Sequence, residues 1–71
     1  MPESLFDIPG LLTQADADAV MFELQDLPCV NQAEVHLLER RAWVAHTAMI
    51  SAGDIAAALE DAGYEAKLLE G

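Results

Sequence analysis

The stretch AEVHLLERRAWVAHT, residues 33–47, decides the fold because it alternates like two β-strands joined by a tight turn. The turn is expected at Glu39 and Arg40, which would pair Val35 with Val44. The same register predicts two further pairs, Leu37 with Ala42 on the inner face and His36 with Trp43 on the outer face. The segment therefore indicates a β-hairpin in the middle of the chain.

A helical pattern lies on each side of this hairpin. Residues 14–26 carry one apolar stripe at helical spacing, and Pro28 cannot continue that helix. A second stripe precedes Gly63, which has the position of a helix C-cap. The two stripes consist of Ala17, Val20, Met21, Leu24 and Leu27 in the first helix, and of Ile55, Ala58, Leu59 and Ala62 in the second.

The outer segments complete the pattern. SLFDI, Ser4 to Ile8, reads as a strand ended by the Pro9-Gly10 turn, and YEAKLLE, residues 64–70, reads as a final strand. The order β-α-β-β-α-β predicts one α+β domain over residues 1–71, a ferredoxin-like sandwich with two helices on one face of a four-stranded antiparallel sheet. The first and third strands are expected to be central. The open face is expected to carry Leu5, His36, Leu38, Trp43 and Ala45.

Size and composition agree with one small globular domain. The chain has 71 residues, of which 54% are hydrophobic, and its single cysteine, Cys29, cannot form an internal disulfide. There is no basic region typical of a signal peptide and no apolar run of about 20 residues. These features predict a soluble domain in a reducing compartment, such as the cytoplasm.

The charge balance is strongly acidic. Thirteen acidic and three basic residues give a net charge of −10, which argues against nucleic acid and membrane surfaces as partners. Basic proteins and cations remain as candidate partners. The alternative is that the acidity serves only solubility.

Five segments together resemble the heavy-metal-associated domain of copper and zinc metallochaperones and of the N-terminal extensions of metal-transporting P-type ATPases. They are Phe6-x-Ile8-x-Gly10, Val20-x-x-x-Leu24, LPCVNQAEVHL at 27–37, RAWVAH at 41–46 and IAAALEDAGYEAKLLE at 55–70. The likeness covers nearly the whole chain without gaps. It implies the same fold and a role in metal transport, with a protein partner or other transporter domains.

The family's metal site is a G-M-x-C-x-x-C loop after the first strand, where two thiolates bind copper(I) or zinc. Ungapped alignment places Leu11 at the methionine, Thr13 at the first cysteine and Asp16 at the second. Cys29 replaces the glycine of the family's LPGV-like turn, at the opposite end of the sandwich. Cysteine-based metal transfer is therefore not implied for this sequence.

Thr13-x-x-Asp16 has the spacing of a helix capping box, and Ser51-x-x-Asp54 repeats this spacing before the second helix. This repetition favours a structural role. The alternative is a site for an oxygen-preferring or borderline ion, formed by Asp16 and Asp18 with Thr13 or Glu65 nearby.

A second candidate metal site pairs His46 with Cys29, which are expected at the same end of the molecule, with an acidic group from Glu3 or Glu70. His36 and Glu34 form a further, weaker candidate on the open face. Such nitrogen, oxygen and single-sulfur sets favour zinc, cobalt, nickel or cadmium over copper(I). The alternative is that these side chains have ordinary structural or solvated roles.

Two apolar groups are candidates for protein contacts. Leu11, Leu12 and Phe22 could form a patch at the loop, where Tyr64 is also expected by resemblance to bacterial family members. Trp43 could mark a contact surface on the open sheet face, or it could be partly covered by neighbouring strands.

No nucleophile-base pair, phosphate-binding loop or cofactor motif is recognisable, so no enzymatic activity is expected. The first hypothesis is a regulatory or docking domain of a metal-transporting P-type ATPase that lacks the thiolate site. The second is a small metal carrier or sensor with Asp, His and Cys ligands. The third is a domain that self-associates weakly through its open sheet face or an edge strand.

Overall fold

The computed structural model describes residues 2–70. Its elements are β1 (Glu3–Asp7), α1 (Gln14–Asp26), β2 (Val30–His36), β3 (Arg41–His46), α2 (Ala52–Asp61) and β4 (Lys67–Glu70). The four strands form one antiparallel sheet in the order β2-β3-β1-β4, so β3 and β1 are central. The predicted α+β ferredoxin-like sandwich is confirmed. No helix in the described range is long and apolar enough to cross a bilayer.

The core lies between the sheet and the two helices. Alternate residues of β1 and β3 point toward the helices, so Phe6 and Val44 are fully buried. The apolar stripes of both helices close over them, because residues three or four positions apart share one helix face. The fully buried helix residues are Val20, Leu24, Ile55 and Leu59.

The hairpin between β2 and β3 has a different register from the one predicted. Val35 pairs with Ala42 instead of Val44, and His36 pairs with Arg41 instead of Trp43. The predicted pair of Leu37 with Ala42 is therefore also wrong. Because the displacement is two residues, each strand residue keeps its predicted face.

The length of the turn explains this difference. A two-residue turn at Glu39 and Arg40 would need positive φ at both residues, which glycine and asparagine tolerate best. The chain instead uses a longer turn in which only Arg40 has positive φ, at 55°, and its N–H donates to the Leu37 carbonyl at 3.1 Å. Leu38 consequently lies in this turn, where it is 99% exposed. The prediction that Leu38 lies on the open sheet face is therefore wrong.

Strand ends also differ from the predictions. β1 begins and ends one residue earlier than expected, β2 begins at Val30, and β4 is limited to Lys67–Glu70. The β4 strand is shorter because a Schellman motif ends α2. The Gly63 N–H donates to the Glu60 carbonyl and the Tyr64 N–H to the Leu59 carbonyl, each at 2.9 Å. Gly63 has a φ of 95°, which L-residues rarely adopt.

The two glycines of the α2 region should respond oppositely to alanine. Gly63→Ala should lower the free energy of unfolding by about 1 to 2 kcal/mol, because the side chain disfavours positive φ. A β-carbon there would meet nothing within 4 Å, so any loss comes from the backbone. Gly53→Ala is the matched control, inside the helix, and should raise the free energy of unfolding by up to about 0.5 to 1 kcal/mol. Urea unfolding measures both, and equal effects would contradict this account of the helix end.

Candidate functional site at the loop between β1 and α1

Residues 8–13 connect β1 to α1 and occupy the position of the family's metal loop. Two buried side chains, Ile8 and Leu11, anchor the loop in the core. The Leu11 N–H also donates to the Ile8 carbonyl at 3.1 Å. Its start is tied to the β2–β3 turn, where the Arg40 carbonyl accepts from the Ile8 N–H at 2.7 Å. The loop therefore has a fixed path before it reaches the helix.

Thr13 and Asp16 form a complete capping box at the start of α1. The Thr13 hydroxyl oxygen accepts from the Asp16 N–H at 3.3 Å, and Asp16 Oδ2 accepts from the Thr13 N–H at 3.0 Å. The same arrangement begins α2, where Ser51 and Asp54 exchange bonds of 3.2 and 3.1 Å. Both boxes match the spacing seen in the sequence.

Asp16 makes contacts beyond those of the second capping box. Its Oδ2 also accepts from the Leu12 N–H at 3.2 Å and from the Thr13 hydroxyl at 3.1 Å. Its Oδ1 accepts from the Tyr64 hydroxyl at 2.9 Å. Together with the bond from the Thr13 N–H, Asp16 therefore accepts four hydrogen bonds. They connect the loop, α1 and the segment after α2.

The hydrogen bond between Tyr64 and Asp16 was not anticipated from the sequence. The resemblance placed Tyr64 near the loop but did not identify Asp16 as its partner. Two glycines bear on the contact: Gly63 ends α2 directly before Tyr64, and a β-carbon at Gly10 would lie 3.3 Å from the Tyr64 ring. Gly10 thus permits the ring to lie against the loop. The tyrosine is half-buried and packs on the core while its hydroxyl reaches the carboxylate.

These hydrogen bonds change the acidity of both partners. The Tyr64 hydroxyl lowers the pKa of Asp16 below its usual value of 3.8, and the backbone N–H groups of Leu12 and Thr13 lower it further. The carboxylate in turn raises the pKa of Tyr64 above 10.0, because the bond requires the protonated hydroxyl. Both shifts favour the charged carboxylate and the neutral phenol at neutral pH.

The candidate oxygen-ligand site is not assembled in this arrangement. Asp16 and Asp18 are two residues apart on a helix and therefore face different directions. Asp18 Oδ1 accepts from the Gln14 side-chain amide at 3.1 Å, and Glu65 is exposed without a contact to Asp16. Within residues 2–70, no group of three His, Cys, Asp or Glu side chains is placed to hold a metal ion.

His46 and Cys29 lie at the same end of the molecule, since the Thr47 N–H donates to the Cys29 carbonyl at 3.0 Å. Both ring nitrogens of His46 are engaged. Nδ1 lies 2.9 Å from the Thr47 carbonyl, which can only accept, so Nδ1 carries a proton. Nε2 lies 2.9 Å from the Ser4 hydroxyl, which donates to it when the ring is neutral. With His46 4% exposed, this pattern fits a satisfied buried histidine.

The remaining metal candidates have separate positions. On the edge strand β2, His36 Nε2 lies 3.8 Å from Glu34 Oε1, and both side chains are exposed. Glu3 accepts a 3.1 Å hydrogen bond from the Trp43 indole N–H instead of approaching His46. Glu70 is placed opposite Leu5 in the sheet.

The apolar interaction candidates divide into exposed and buried residues. Leu12 and Phe22 are 66% and 68% exposed, whereas Leu11 is 1% exposed and belongs to the core. Leu11 therefore cannot contribute surface to the expected patch. Trp43 and Tyr64 are half-buried.

The bond between Tyr64 and Asp16 can be tested by pH. The lowered Asp16 pKa stabilises the fold above about pH 4, and this contribution should disappear as the pH falls below 3.8 through the folded-state pKa. Tyr64→Phe should therefore reduce stability at pH 7 and raise the Asp16 pKa toward 3.8, since the hydroxyl is its largest cause. NMR titration of the side-chain carboxyl carbons measures this.

The second capping box supplies an internal control for this substitution. Ser51 and Asp54 form the same backbone arrangement without a tyrosine, so the amide NMR shifts at the start of α2 should be identical in the two proteins. At alkaline pH the native protein should lose the Tyr64 contribution as the pH rises above 10.0 through the raised phenol pKa. An unchanged Asp16 pKa in Tyr64→Phe would show that the hydroxyl does not act on the carboxylate.

Solved structures similar to this chain are metal-handling domains. A copper-binding domain from HMA7, a P-type ATPase, is 31% identical, with a TM-score of 0.94, over 99% of this chain and 96% of that one. Oxidised MerP from Ralstonia metallidurans CH34 is 23% identical, with a TM-score of 0.92, over 97% of each chain. A chain of the Atx1–Cu(I)–Ccc2a complex is 20% identical, with a TM-score of 0.86, over 96% and 94%. The last two similarities support the fold alone.

No protein-family model matches the sequence, and no curated protein sequence matches it. The fold and the full-length similarity to the HMA7 domain define a ferredoxin-like domain of the heavy-metal-associated type. The chain belongs to the heavy-metal-associated domain family. The single cysteine of the chain is Cys29, so the β1–α1 loop contains none.

Proposed function

We propose that this domain is a cytoplasmic docking or regulatory module of a heavy-metal transport system that no longer carries metal in its β1–α1 loop. The most suitable setting is the N-terminal region of a metal-transporting P-type ATPase. This setting is supported by the similarity to a copper-binding domain of such an ATPase. The module would act by contact with a protein and not by passing on an ion.

The observation that carries the proposal is the engagement of the Asp16 carboxylate by donors of the fold. Oδ2 accepts three hydrogen bonds, from the Leu12 and Thr13 N–H groups and the Thr13 hydroxyl, and Oδ1 accepts one from the Tyr64 hydroxyl. An ion bound through Oδ2 would displace donors at the start of α1, and each displaced donor would need a new partner. The family position of the second thiolate is thus occupied by a side chain committed to the fold.

The exposed apolar residues supply the contact surface of this proposal. Leu12 precedes the helix cap, and Phe22 lies on the outward face of α1. Asp18 and Asp26 are each four residues from Phe22 and are exposed, so that they flank it on the helix surface. An apolar contact with an acidic rim fits a partner that presents an apolar pocket among basic side chains.

Metal titration tests the loss of the site. We expect no saturable NMR shift when zinc, cobalt or copper(I) is added at micromolar concentration to the reduced protein. Thr13→Cys/Asp16→Cys restores two sulfur ligands at the family spacing and should bind these ions, with thiolate-to-cobalt absorption as a second readout. The double variant shows whether the rest of the fold is competent for metal.

Two outcomes of the titration would overturn this part of the proposal. Saturable shifts of the native protein around Asp16 and Asp18 would favour a carrier with oxygen ligands. Saturable shifts around His46 and Cys29 would favour the site at the opposite end. In either case the ion would be zinc, cobalt, nickel or cadmium, and the domain would be a metal carrier or sensor.

Neighbouring leucines separate docking from stability. Leu11→Ala should lower the free energy of unfolding by about 2 to 4 kcal/mol, because it empties a buried position. Leu12→Ala and Phe22→Ala should each change it by less than about 0.5 kcal/mol, since both side chains are mainly exposed. The exposed-site variants should nevertheless weaken binding to cytosolic segments of metal-transporting P-type ATPases from the same genome, measured by calorimetry.

Met49→Ala provides the matched control for docking. Met49 is 86% exposed but follows β3, at the end of the sandwich opposite the β1–α1 loop. Its substitution should leave both stability and binding unchanged. If Met49→Ala weakened binding as much as Leu12→Ala and Phe22→Ala, the contact surface would not be at the loop.

A further inference from the structure

The open face of the sheet carries an ordered arrangement of charge. Strand pairing places residues in rows across the four strands, and paired residues share a face. The row nearest the β1–α1 loop, here called the loop-end row, is His36, Arg41, Asp7 and Lys67. The next row, called the middle row, is Glu34, Trp43, Leu5 and Glu70. Two of the three basic residues of a strongly acidic chain therefore stand in one row.

Neither basic side chain forms an ion pair inside the described part of the domain, although Asp7 lies between them in the row. Within residues 2–70 the ion pair between His36 and Glu34 is the only one within 4 Å, so Arg41 and Lys67 have no acidic partner at that distance. The chain has thirteen acidic residues, and several could have served. Cations left unpaired on a face that also carries acids are suited to pairing with another molecule.

The centre of the face is apolar. Trp43 and Leu5 are half-buried, and Ala45 is only 6% exposed although no helix covers this side. The indole N–H of Trp43 donates to Glu3, the residue paired with Ala45, so the indole extends along the face toward Ala45. Trp43 is only half-buried, so part of the indole stays open to solvent. An exposed aromatic surface is suited to stacking and to cation–π contact.

We propose that a second copy of this chain packs on the open face. On each edge strand a basic side chain, His36 or Lys67, lies nearer the loop and a glutamate lies farther from it. The spacing differs, because a register shift in the β1–β4 pairing puts Glu70 three residues from Lys67 while Glu34 is two residues from His36. A twofold axis that crosses the strands between the two rows would place the loop-end row of one copy over the middle row of the other. The contacts would then be Lys67 on Glu70, His36 on Glu34, Arg41 on Trp43 and Asp7 beside Leu5.

Two of these four contacts are favourable whatever the charge of His36, and protonated His36 adds a third, so the face is complementary to itself. Lys67 meets a carboxylate, and Arg41 meets an indole surface. Ten of the thirteen acidic residues lie outside these two rows, so a contact elsewhere between two copies brings more like charges together. Stacked sheets cross at about 30°, which suits strands laid nearly antiparallel.

The size of the face sets the strength of the dimer. Four short strands spaced about 4.8 Å apart form a face roughly 20 Å wide. Such a face falls at or below the lower end of specific interfaces, which bury roughly 1,200 Å² in total. We therefore expect a weak, reversible dimer. It is independent of docking through Leu12 and Phe22, which lie outside this face.

A dilution series with charge exchange tests the dimer. Amide NMR shifts and sedimentation equilibrium should show a monomer–dimer transition between about 20 µM and 1 mM, with shifts centred on Trp43 and Arg41. Lys67→Glu should raise the dissociation constant about tenfold, because each dimer loses two related pairs. Lys67→Glu/Glu70→Lys should restore the native value, since it exchanges the charges without removing the pair.

Arg41→Glu and Arg40→Glu form the matched control. Both change the net charge equally, but Arg40 lies in the β2–β3 turn and outside the face. Arg41→Glu should weaken the dimer by about tenfold more than Arg40→Glu, from loss of the indole contact. The proposal is overturned if the shifts do not depend on concentration, if they centre on Leu12 and Phe22, if both arginine variants act equally or if the exchanged pair fails to restore association. None of these results depends on metal binding or on the docking partner.

Discussion

The Asp16 carboxylate is the interaction on which the loop depends. It satisfies backbone N–H groups at the start of α1 and accepts the Tyr64 hydroxyl from the segment after α2. A helix start leaves unpaired N–H groups and a partial positive charge, so an anion at this position is stabilising for two reasons. The carboxylate thereby joins α1 to the segment after α2 at the end of the sandwich that carries the β1–α1 loop.

The arrangement of helices and strands follows from local patterns that agree with one another. Alternation in SLFDI and RAWVAH fixed which residues face the core, and two capping boxes with Gly63 marked helix ends. These signals are encoded within a few residues, so they can be interpreted from sequence. These local patterns are sufficient to assign Phe6, Val44, Leu24 and Leu59 to the core, where the structure places them.

The features missed by sequence reasoning depend on contacts between distant segments. The hairpin register depends on the positive φ of Arg40, a conformation that the hairpin sequence does not reveal. It also depends on the hydrogen bond from the Ile8 N–H to the Arg40 carbonyl, which comes from a distant part of the chain. Leu11 and Leu12 are identical residues, and only the path of the loop makes one buried and the other exposed. The Tyr64 bond to Asp16 spans 48 residues and has no periodic signature.

The proposed loss of the metal site can be understood as a change in what balances the anion at the helix start. Two thiolates in this loop would need a cation to balance their charge, which a soft metal ion supplies. A carboxylate at the second position finds its donors within the chain, from Leu12, Thr13 and Tyr64. The loop then keeps its shape without an ion, because hydrogen bonds replace metal-ligand bonds. A surface that is already ordered before binding loses less conformational entropy when a protein docks on it. In the proposed function, the residues at the positions of the sulfur ligands therefore also favour the loop as a contact surface for protein.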